Sequence, residues 1–243
     1  MPHDGTALPP ELAARMTDAA RRVPDTDWHV SRLYAFAREL GASTLVPIHS
    51  RYVVDLNRAP DGAVLYPGKH ETGLCPTVTF AGEAVYRNGE APMRDEIASR
   101  VARYWRPYHD ALRAELDRLV AAHGHAVLWE AHTIRGEVPL FFDGALPDLN
   151  LGTADGASCR PALQGSLART LAHQRDYTHV VNGRFKGGYI TRQYADAARR
   201  IDAVQLELAQ RTYMDEKSFA YDEVRAAKLG PVLRALLETA LRH

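Results

Sequence analysis

Two histidines and an aspartate in this chain could together bind a metal ion. His132 follows the apolar run AVLW (residues 126–129), where a buried strand should reach the end of its sheet. His3 lies in the turn-like segment PHDGT, and Asp27 lies in PDTDWH, directly before a helix-like pattern. Two histidines and one carboxylate around an open coordination position form the catalytic zinc site of some hydrolases. The three residues therefore predict a site for Zn²⁺ or another divalent transition metal.

Each of these residues also has an ordinary structural interpretation. A histidine near a chain end can be frayed, and a histidine beside a strand can be a core or surface residue. Asp25 or Asp27 should cap the helix that begins near Trp28, which leaves the other aspartate for a ligand role. From the residues alone, the choice between the two aspartates stays open.

A hydrolytic metal site also needs a proton carrier, and Glu207 is the candidate. A bound divalent ion lowers the pKa of water to about 7 and polarises a carbonyl oxygen. A nearby carboxylate then passes the proton of that water to the leaving nitrogen. Apolar and polar residues alternate in AVQLELA (203–209), so Glu207 lies on the face opposite three aliphatic side chains. A solvent-facing glutamate on an edge strand fits this alternation equally well.

Five arginines follow predicted strands, namely Arg51, Arg58, Arg135, Arg184 and Arg192. Guanidinium groups bind carboxylates in a bidentate geometry, so these arginines could hold an acidic substrate, although exposed arginines commonly serve solubility alone. Arg51, Asn57 and Arg58 form a dense polar segment in SRYVVDLNR. The basic, Gly-rich loop NGRFKGGYITR (182–192) could instead hold phosphate, as in a transferase, but it lacks the Walker pattern.

The elements that must position these residues alternate between strands and amphipathic helices, which predicts an α/β fold. The predicted extended segments are STLVPIH, SRYVVDLNR, AVLW, LPDLNLG, THVVNG and AVQLELA. The predicted helices are ELAARMTDAARRV, WHVSRLYAFARELG, residues 94–122, ASCRPALQGSLARTLA and PVLRALLETALRH. Pro107 should kink or divide the long helix, and Gly124 should stop it. Because ligands bind beyond the carboxyl ends of strands in such sheets, the polar residues that end these strands should converge.

Residues 59–92 form a long Gly- and Pro-rich excursion between the predicted elements. It contains TVTFAGEAVY, whose two β-like runs around Ala81–Gly82 predict a hairpin. Long connections of this kind are more often functional cover than core. We therefore expect this segment to close over the substrate.

The composition favours a small-molecule partner. Lys plus Arg and Asp plus Glu are equal at 30 each, so no net charge attracts nucleic acid or an anionic membrane. Two cysteines, Cys75 and Cys159, have no metal-like or redox-like spacing. No apolar run approaches the roughly 20 residues that span a bilayer, and no signal peptide pattern is found. We expect one domain over residues 1–243, forming a cytoplasmic monomer.

Together these segments resemble a known family over nearly the whole chain, in order. The matching motifs are PHDGT, DTDWHVSRLYAFARELGA, HSRYVVDLNR, LYPG, TGLCPT, LWEAHTIR, DLNLGTADGASC, NGRFKGGYITRQY and VQLELAQRTYMDE. They are similar to those of the N-formylglutamate amidohydrolases, which belong to the zinc carboxypeptidase-like hydrolases. The resemblance implies a three-layer, phosphorylase/hydrolase-like fold with a mixed central sheet flanked by helices. It also implies hydrolysis of N-formyl-L-glutamate to formate and L-glutamate, the last step of one bacterial route of histidine degradation.

The resemblance assigns roles to the candidate residues. It implies His3, Asp27 and His132 as metal ligands and Glu207 as the catalytic carboxylate. It implies Asn57 and Arg58 as the site of one substrate carboxylate, and Arg51, Arg184 or Arg192 can supply the second cationic site. Two alternatives are an amidohydrolase for another N-acyl acidic amino acid and a catalytically silent dicarboxylate-binding protein.

Two features depart from the family pattern. In carboxypeptidases a glutamate follows the first ligand histidine at short spacing, and Thr6 stands at that point here. Family members also have a strand before PH, whereas this sequence starts at Met1–Pro2. We therefore expect the first strand of the family to be missing and His3 to be less firmly held.

Overall fold

A four-stranded mixed sheet lies at the centre of the computed structural model, which describes residues 1–64 and 71–243. The strands are β1 (Ala126–Ile134), β2 (Leu149–Gly152), β3 (His179–Val181) and β4 (Ile201–Ala209). Their order is β1-β4-β2-β3, with β1 parallel to β4, β2 parallel to β3 and β2 antiparallel to β4. The predicted mixed α/β sheet is thus confirmed.

Helices cover both faces of this sheet. The α-helices are α1 (Pro10–Ala13), α2 (Asp18–Arg21), α3 (Val30–Leu33), α4 (Arg94–Arg100), α5 (Arg106–His123), α6 (Pro161–His173), α7 (Tyr189–Tyr194) and α8 (Glu223–Leu241). Aliphatic residues of β2 and β4 pack with α6 and α8 in the largest core cluster. On the other face of the sheet, Ala126 and Leu128 of β1 pack with α5 and α7. This three-layer arrangement leaves the α5 and α7 side for the polar residues of β1 and β4.

The predicted long helix is divided near Pro107, as expected. A π-helical turn (Val101–Trp105) separates α4 from α5, and Pro107 lies in the first turn of α5. Proline is favoured there because its missing N–H needs no partner in the first turn. The helix ends at Gly124, which adopts a left-handed conformation with φ 74°.

Several predicted elements near the amino terminus did not form. STLVPIH is irregular apart from one bridge between Ala7 and His49, and SRYVVDLNR forms turns rather than a strand. Its main chain is held by partners outside the sheet, since Asp55 N donates to Leu74 O at 2.7 Å. The first predicted helix shortens to α1 and α2. The second becomes α3 followed by a 3₁₀ helix (Ala35–Leu40).

The predicted hairpin in the 59–92 excursion is reduced to a tight turn. Val78 and Ala84 form one antiparallel bridge around Ala81 and Gly82, and Gly82 takes φ 79°. Residues 65–70 of this excursion, which include the LYPG motif, lie outside the described residues. Within the described ranges, no helix is both long and apolar enough to cross a membrane.

Candidate active site

His3, Asp27 and His132 meet in the interior of the protein. Their candidate ligand atoms all lie within 4.8 Å of one another. His3 comes from the amino-terminal segment and Asp27 from the connection between α2 and α3. His132 lies near the carboxyl end of β1. All three side chains are buried, with at most 3% of each residue exposed. His3 is thus enclosed rather than frayed, in contrast to the expectation of a loosely held residue.

The structure distinguishes the two aspartates that the sequence left as alternatives. Asp27 Oδ2 lies 2.9 Å from His132 Nδ1 and 3.7 Å from His3 Nδ1. Asp25 turns away, and its Oδ2 accepts hydrogen bonds from Tyr52 at 2.5 Å and from Phe80 N at 2.8 Å. Neither aspartate caps α3, whose N-terminal flanking residue is His29 without a side-chain cap. The capping prediction was wrong because both carboxylates have other partners.

Two further carboxylates hold the outer nitrogens of the histidines. His3 Nε2 lies 2.7 Å from Asp55 Oδ1, and His132 Nε2 lies 2.6 Å from Glu130 Oε1. Such pairs favour a proton on Nε2, so that Nδ1 is the atom of each ring that could bind a metal ion in place of a proton. His3 Nδ1 is buried without a hydrogen-bond partner in the described residues, and it faces Asp27. An orphaned ring nitrogen beside a carboxylate fits a bound divalent cation.

The local charge also favours a cation. Burial lowers the pKa of His132, but the neighbouring Glu130 and Asp27 outweigh it and raise the pKa to about 10. Burial opposes ionisation of Asp27, yet the two histidines hold its pKa below the usual value. The site thus concentrates carboxylates around two ring nitrogens, and a proton or a metal ion has to balance their charge.

Glu207 lies beside this cluster, on the central strand β4 rather than on an edge strand. It pairs in register with His132 of β1 and with Asn150 of β2, and it is only 6% exposed. The solvent-facing interpretation of this residue is therefore wrong. Burial, helped by the charges of Asp27 and Glu130, raises the pKa of Glu207 to about 8. A carboxyl group with such a pKa can both accept and donate a proton near neutral pH.

An open cleft with a volume of about 80 Å³ lies beside these residues. It is lined by His3, Asp27, Arg51, Asn57, Arg58, Glu71, Thr72, Phe80, His132, Thr133, Ile134, Phe141, Arg184, Phe185, Gly188, Gln205 and Glu207. Three of the predicted arginines are included, whereas Arg192 is exposed and is not part of this lining. The cleft therefore combines three guanidinium groups with aromatic walls near His3, Asp27 and His132.

The arginines of the cleft differ in their surroundings. Arg51 is buried and pairs with Asp55 at 2.6 Å, so its charge is shared with the carboxylate that holds His3. Arg58 is half-buried, and its Nε donates to Thr72 O at 2.8 Å. The carbonyl oxygen of Arg58 in turn accepts from Trp105 Nε1 at 3.0 Å, which anchors this turn to the π-helical segment.

Sequence reasoning missed several residues that support the site. Glu130 stands two residues before His132 on the same face of β1, and that spacing could have identified it. Gln205 has the same relation to Glu207 on β4. Asp55 and Thr191 could not have been found in this way, because their contacts join segments that are distant in sequence.

An α/β fold that gathers two histidines, an aspartate and a buried glutamate in one cleft has the form of a hydrolase active site. The sequence model of the N-formylglutamate amidohydrolase family matches residues 1–214. This chain therefore belongs to the N-formylglutamate amidohydrolase family, which confirms the resemblance inferred from the sequence.

Individual relatives cover nearly the full chain. The N-formylglutamate deformylase of Pseudomonas aeruginosa is 52% identical over 242 residues, covering 99% of this chain and 91% of the relative. The N-formylglutamate deformylase of Pseudomonas putida is 50% identical, covering 99% and 90%. The crystal structure of N-formylglutamate amidohydrolase from Ralstonia eutropha superposes with a TM-score of 0.81 at 24% identity, covering 99% of this chain and 91% of that one. The structural likeness confirms the fold.

Proposed function

We propose that this protein hydrolyses N-formyl-L-glutamate to formate and L-glutamate. Family membership and the names of relatives that match 99% of the chain support this substrate. The observation that carries the proposal is the buried convergence of His3, Asp27 and His132 beside Glu207. These residues provide the two requirements of amide hydrolysis, an electrophilic centre and a proton carrier.

His3, Asp27 and His132 would hold Zn²⁺ or another divalent transition metal. A divalent ion bound there would polarise the formyl carbonyl and make a bound water more acidic. Glu207 would take one proton from the attacking water and deliver it to the amide nitrogen as the C–N bond breaks. Formate would then leave with the water oxygen, and the amine of L-glutamate would carry the transferred proton. Gln205 Nε2, which donates to Glu207 Oε2 at 3.2 Å, keeps this carboxylate directed into the cleft.

Arg58 and Asn57 would bind one carboxylate of the substrate. The Asn57 amide oxygen accepts from Ile190 N at 2.8 Å, and its Nδ2 lies 3.2 Å from His132 Nε2 in the lining of the cleft. Arg184 and Arg51 both line the cleft and are the candidates for the second carboxylate. The aromatic side chains of Phe80, Phe141 and Phe185 would form the apolar walls beside the small formyl group.

The described part of the 59–92 excursion supports a role as cover. Glu71, Thr72 and Phe80 of this excursion line the cleft. We propose that the excursion closes over bound substrate and excludes water from the reacting groups.

The proposal is tested by measuring formate release from N-formyl-L-glutamate before and after treatment with a chelator, followed by re-addition of Zn²⁺. We expect formate release to stop on chelation and to return with the metal. Full activity in metal-free protein would reject the metal-dependent mechanism. N-acetyl- and N-succinyl-L-glutamate serve as comparison substrates. Faster turnover of either would favour a different N-acyl amidohydrolase, and stabilisation by glutamate without any turnover would favour a dicarboxylate-binding protein.

We propose that the protein performs the last step of a histidine degradation route, as a single-domain cytoplasmic monomer that acts on a small molecule. Light scattering on the purified protein tests the monomer, since a dimer would double the 27.0 kDa mass.

A further inference from the structure

The segment Gly188–Thr191 of the NGRFKGGYITR motif contacts three residues of the site through three separate hydrogen bonds. Gly188 N donates to Gln205 Oε1 at 2.8 Å, and Ile190 N donates to Asn57 Oδ1 at 2.8 Å. Thr191 Oγ1 donates to Glu130 Oε2. These four consecutive residues thus contact Gln205, Asn57 and Glu130. Gln205 lies beside the proposed proton carrier, Asn57 belongs to the proposed substrate site, and Glu130 lies beside a proposed metal ligand.

The two main-chain donors determine how the amides of Gln205 and Asn57 are turned. A backbone N–H needs an acceptor, so the oxygen of the Gln205 amide faces Gly188 N and the oxygen of the Asn57 amide faces Ile190 N. Gln205 Nε2 then donates to Glu207 Oε2 at 3.2 Å. Asn57 Nδ2 lies 3.2 Å from His132 Nε2. The segment therefore sets the donor direction of both amides.

Thr191 acts in the same way on the histidine side. Its hydroxyl occupies Oε2 of Glu130, which leaves Oε1 to receive His132 Nε2 at 2.6 Å. Thr191 is fully buried and Glu130 is 2% exposed, so water does not compete for these bonds. The chain Thr191–Glu130–His132 fixes the ring orientation of a proposed metal ligand.

The glycine at position 188 is explained by this packing. A Cβ atom added there would lie 2.2 Å from Asn57 Nδ2. Asn57 would then have to move away from its hydrogen bond with Ile190 N. The glycine thus permits the close approach of the segment to Asn57. Lys186 of the same motif pairs with Asp155 at 3.0 Å. These contacts account for a motif whose composition resembled a phosphate-binding loop.

We propose that Gly188–Thr191 is a positioning segment of the active site, acting through two residues with separable effects. Gln205 positions Glu207 for proton transfer, and Thr191 positions His132 for metal binding through Glu130. The inference rests on the proposed function for the role of Glu207, whereas the role of Thr191 concerns metal affinity alone.

Two nearly isosteric variants test the proposal. Gln205→Met should lower kcat for formate release about 10-fold or more, with KM and Zn²⁺ affinity within about twofold of the wild type. Thr191→Val should weaken Zn²⁺ binding about 10-fold, measured with metal-free protein against a chromophoric chelator. Gln193→Met is the matched control, since Gln193 is exposed on α7 outside the cleft. The Tm of each variant is measured in parallel.

The outcomes separate the inference from the proposed function. Wild-type protein that releases no formate would reject the proposed function, and the Zn²⁺ titrations would still decide the inference because they need no substrate. Thr191→Val protein with wild-type Zn²⁺ affinity would overturn it. A parallel loss of kcat, Zn²⁺ affinity and Tm in both variants would also overturn it, because it would indicate only structural support.

Discussion

His132 and Glu207 face each other in register on the adjacent parallel strands β1 and β4. In-register residues of neighbouring parallel strands project to the same face and lie about 5 Å apart at the backbone. The proposed metal ligand and the proposed proton carrier are therefore held by the same ladder of hydrogen bonds. Their separation is fixed by the sheet rather than by a loop, which favours a preorganised site.

Glu207→Gln should abolish most of the turnover while leaving the metal in place. The amide keeps the shape of the side chain but cannot accept the proton of the attacking water, so kcat should fall about 100- to 10,000-fold. Zn²⁺ affinity and Tm should stay near the wild-type values. Glu90→Gln, at an exposed position, is the control. A Glu207→Gln protein that retains more than a tenth of wild-type kcat would exclude Glu207 as the proton carrier.

His132→Ala should remove metal binding. The variant loses one of the three proposed ligands and leaves Glu130 and Asp27 without their common partner. We expect Zn²⁺ affinity to fall by more than about 100-fold, and added Zn²⁺ should no longer raise Tm. His173→Ala, an exposed histidine on α6, should behave as the wild type. Equal Zn²⁺ stabilisation of all three proteins would place the metal elsewhere.

Gly5→Ala should displace the amino-terminal segment that holds His3. A Cβ atom at Gly5 would lie 2.4 Å from His49 O and 2.8 Å from Pro47 O, and both are backbone atoms that cannot move aside easily. We expect a loss of about 1–3 kcal/mol in the free energy of unfolding and weaker Zn²⁺ binding. Gly73→Ala is the matched control, because no atom lies within 4 Å of its added Cβ. Denaturant titrations of both variants would decide the matter, and equal stabilities would contradict it.

Arg58→Ala should weaken substrate binding more than turnover. Loss of the guanidinium partner of a bound carboxylate costs at least about 2 kcal/mol, which corresponds to a rise in KM of roughly 30-fold. Arg58→Lys should recover part of this loss, since it restores the charge without the fork geometry. Arg38→Ala provides an exposed control. A fall in kcat at constant KM would instead assign Arg58 to the reacting centre.

His109 should make the protein less stable in mild acid. Burial lowers the pKa of His109 to about 4, while its Nε2 donates to Leu56 O at 2.9 Å and its Nδ1 accepts from Tyr194 at 2.8 Å. The unfolded chain binds a proton near pH 6.5. Stability from this group is therefore complete above about pH 6.5 and declines as the pH falls toward 4, by up to about 3 kcal/mol.

His109→Gln tests this pH dependence, because glutamine can both donate and accept at the same place without titrating. The difference in the free energy of unfolding between wild type and variant should shrink steadily from pH 7 to pH 4. A difference that does not change with pH would show that His109 is not the titrating group. His123→Gln, with an exposed histidine, controls for the loss of a titratable ring.

The sequence was most informative where periodicity ran for several residues. It predicted the strands around AVLW and AVQLELA and the long helix divided near Pro107, because burial of one face imposes a regular pattern. It could not order the strands, since alternation defines the faces of a strand but not its neighbours. Glu207 was therefore compatible with an edge strand, although β4 lies between β1 and β2.

The site was predictable where its residues lie at the ends of strands or helices that have a regular apolar pattern. His3, Asp27 and His132 were identified from residue type and family resemblance, and the structure brings them together. The segment SRYVVDLNR looked extended because its valines have high strand propensity, but the contacts that bend it come from elsewhere in the chain. Leu74 and His109 bind its main chain, and neither contact leaves a local signal.

The strand order bears on how the chain is assembled during synthesis. In the part of the chain that the structure describes, β1 pairs with β4 alone, and β4 also joins β1 to β2. Of the four strands, β4 is thus synthesised last, about 70 residues after β1. Because β1 has no other strand partner in that part of the chain, His132 gains its place in the sheet only when β4, with Glu207, has been made.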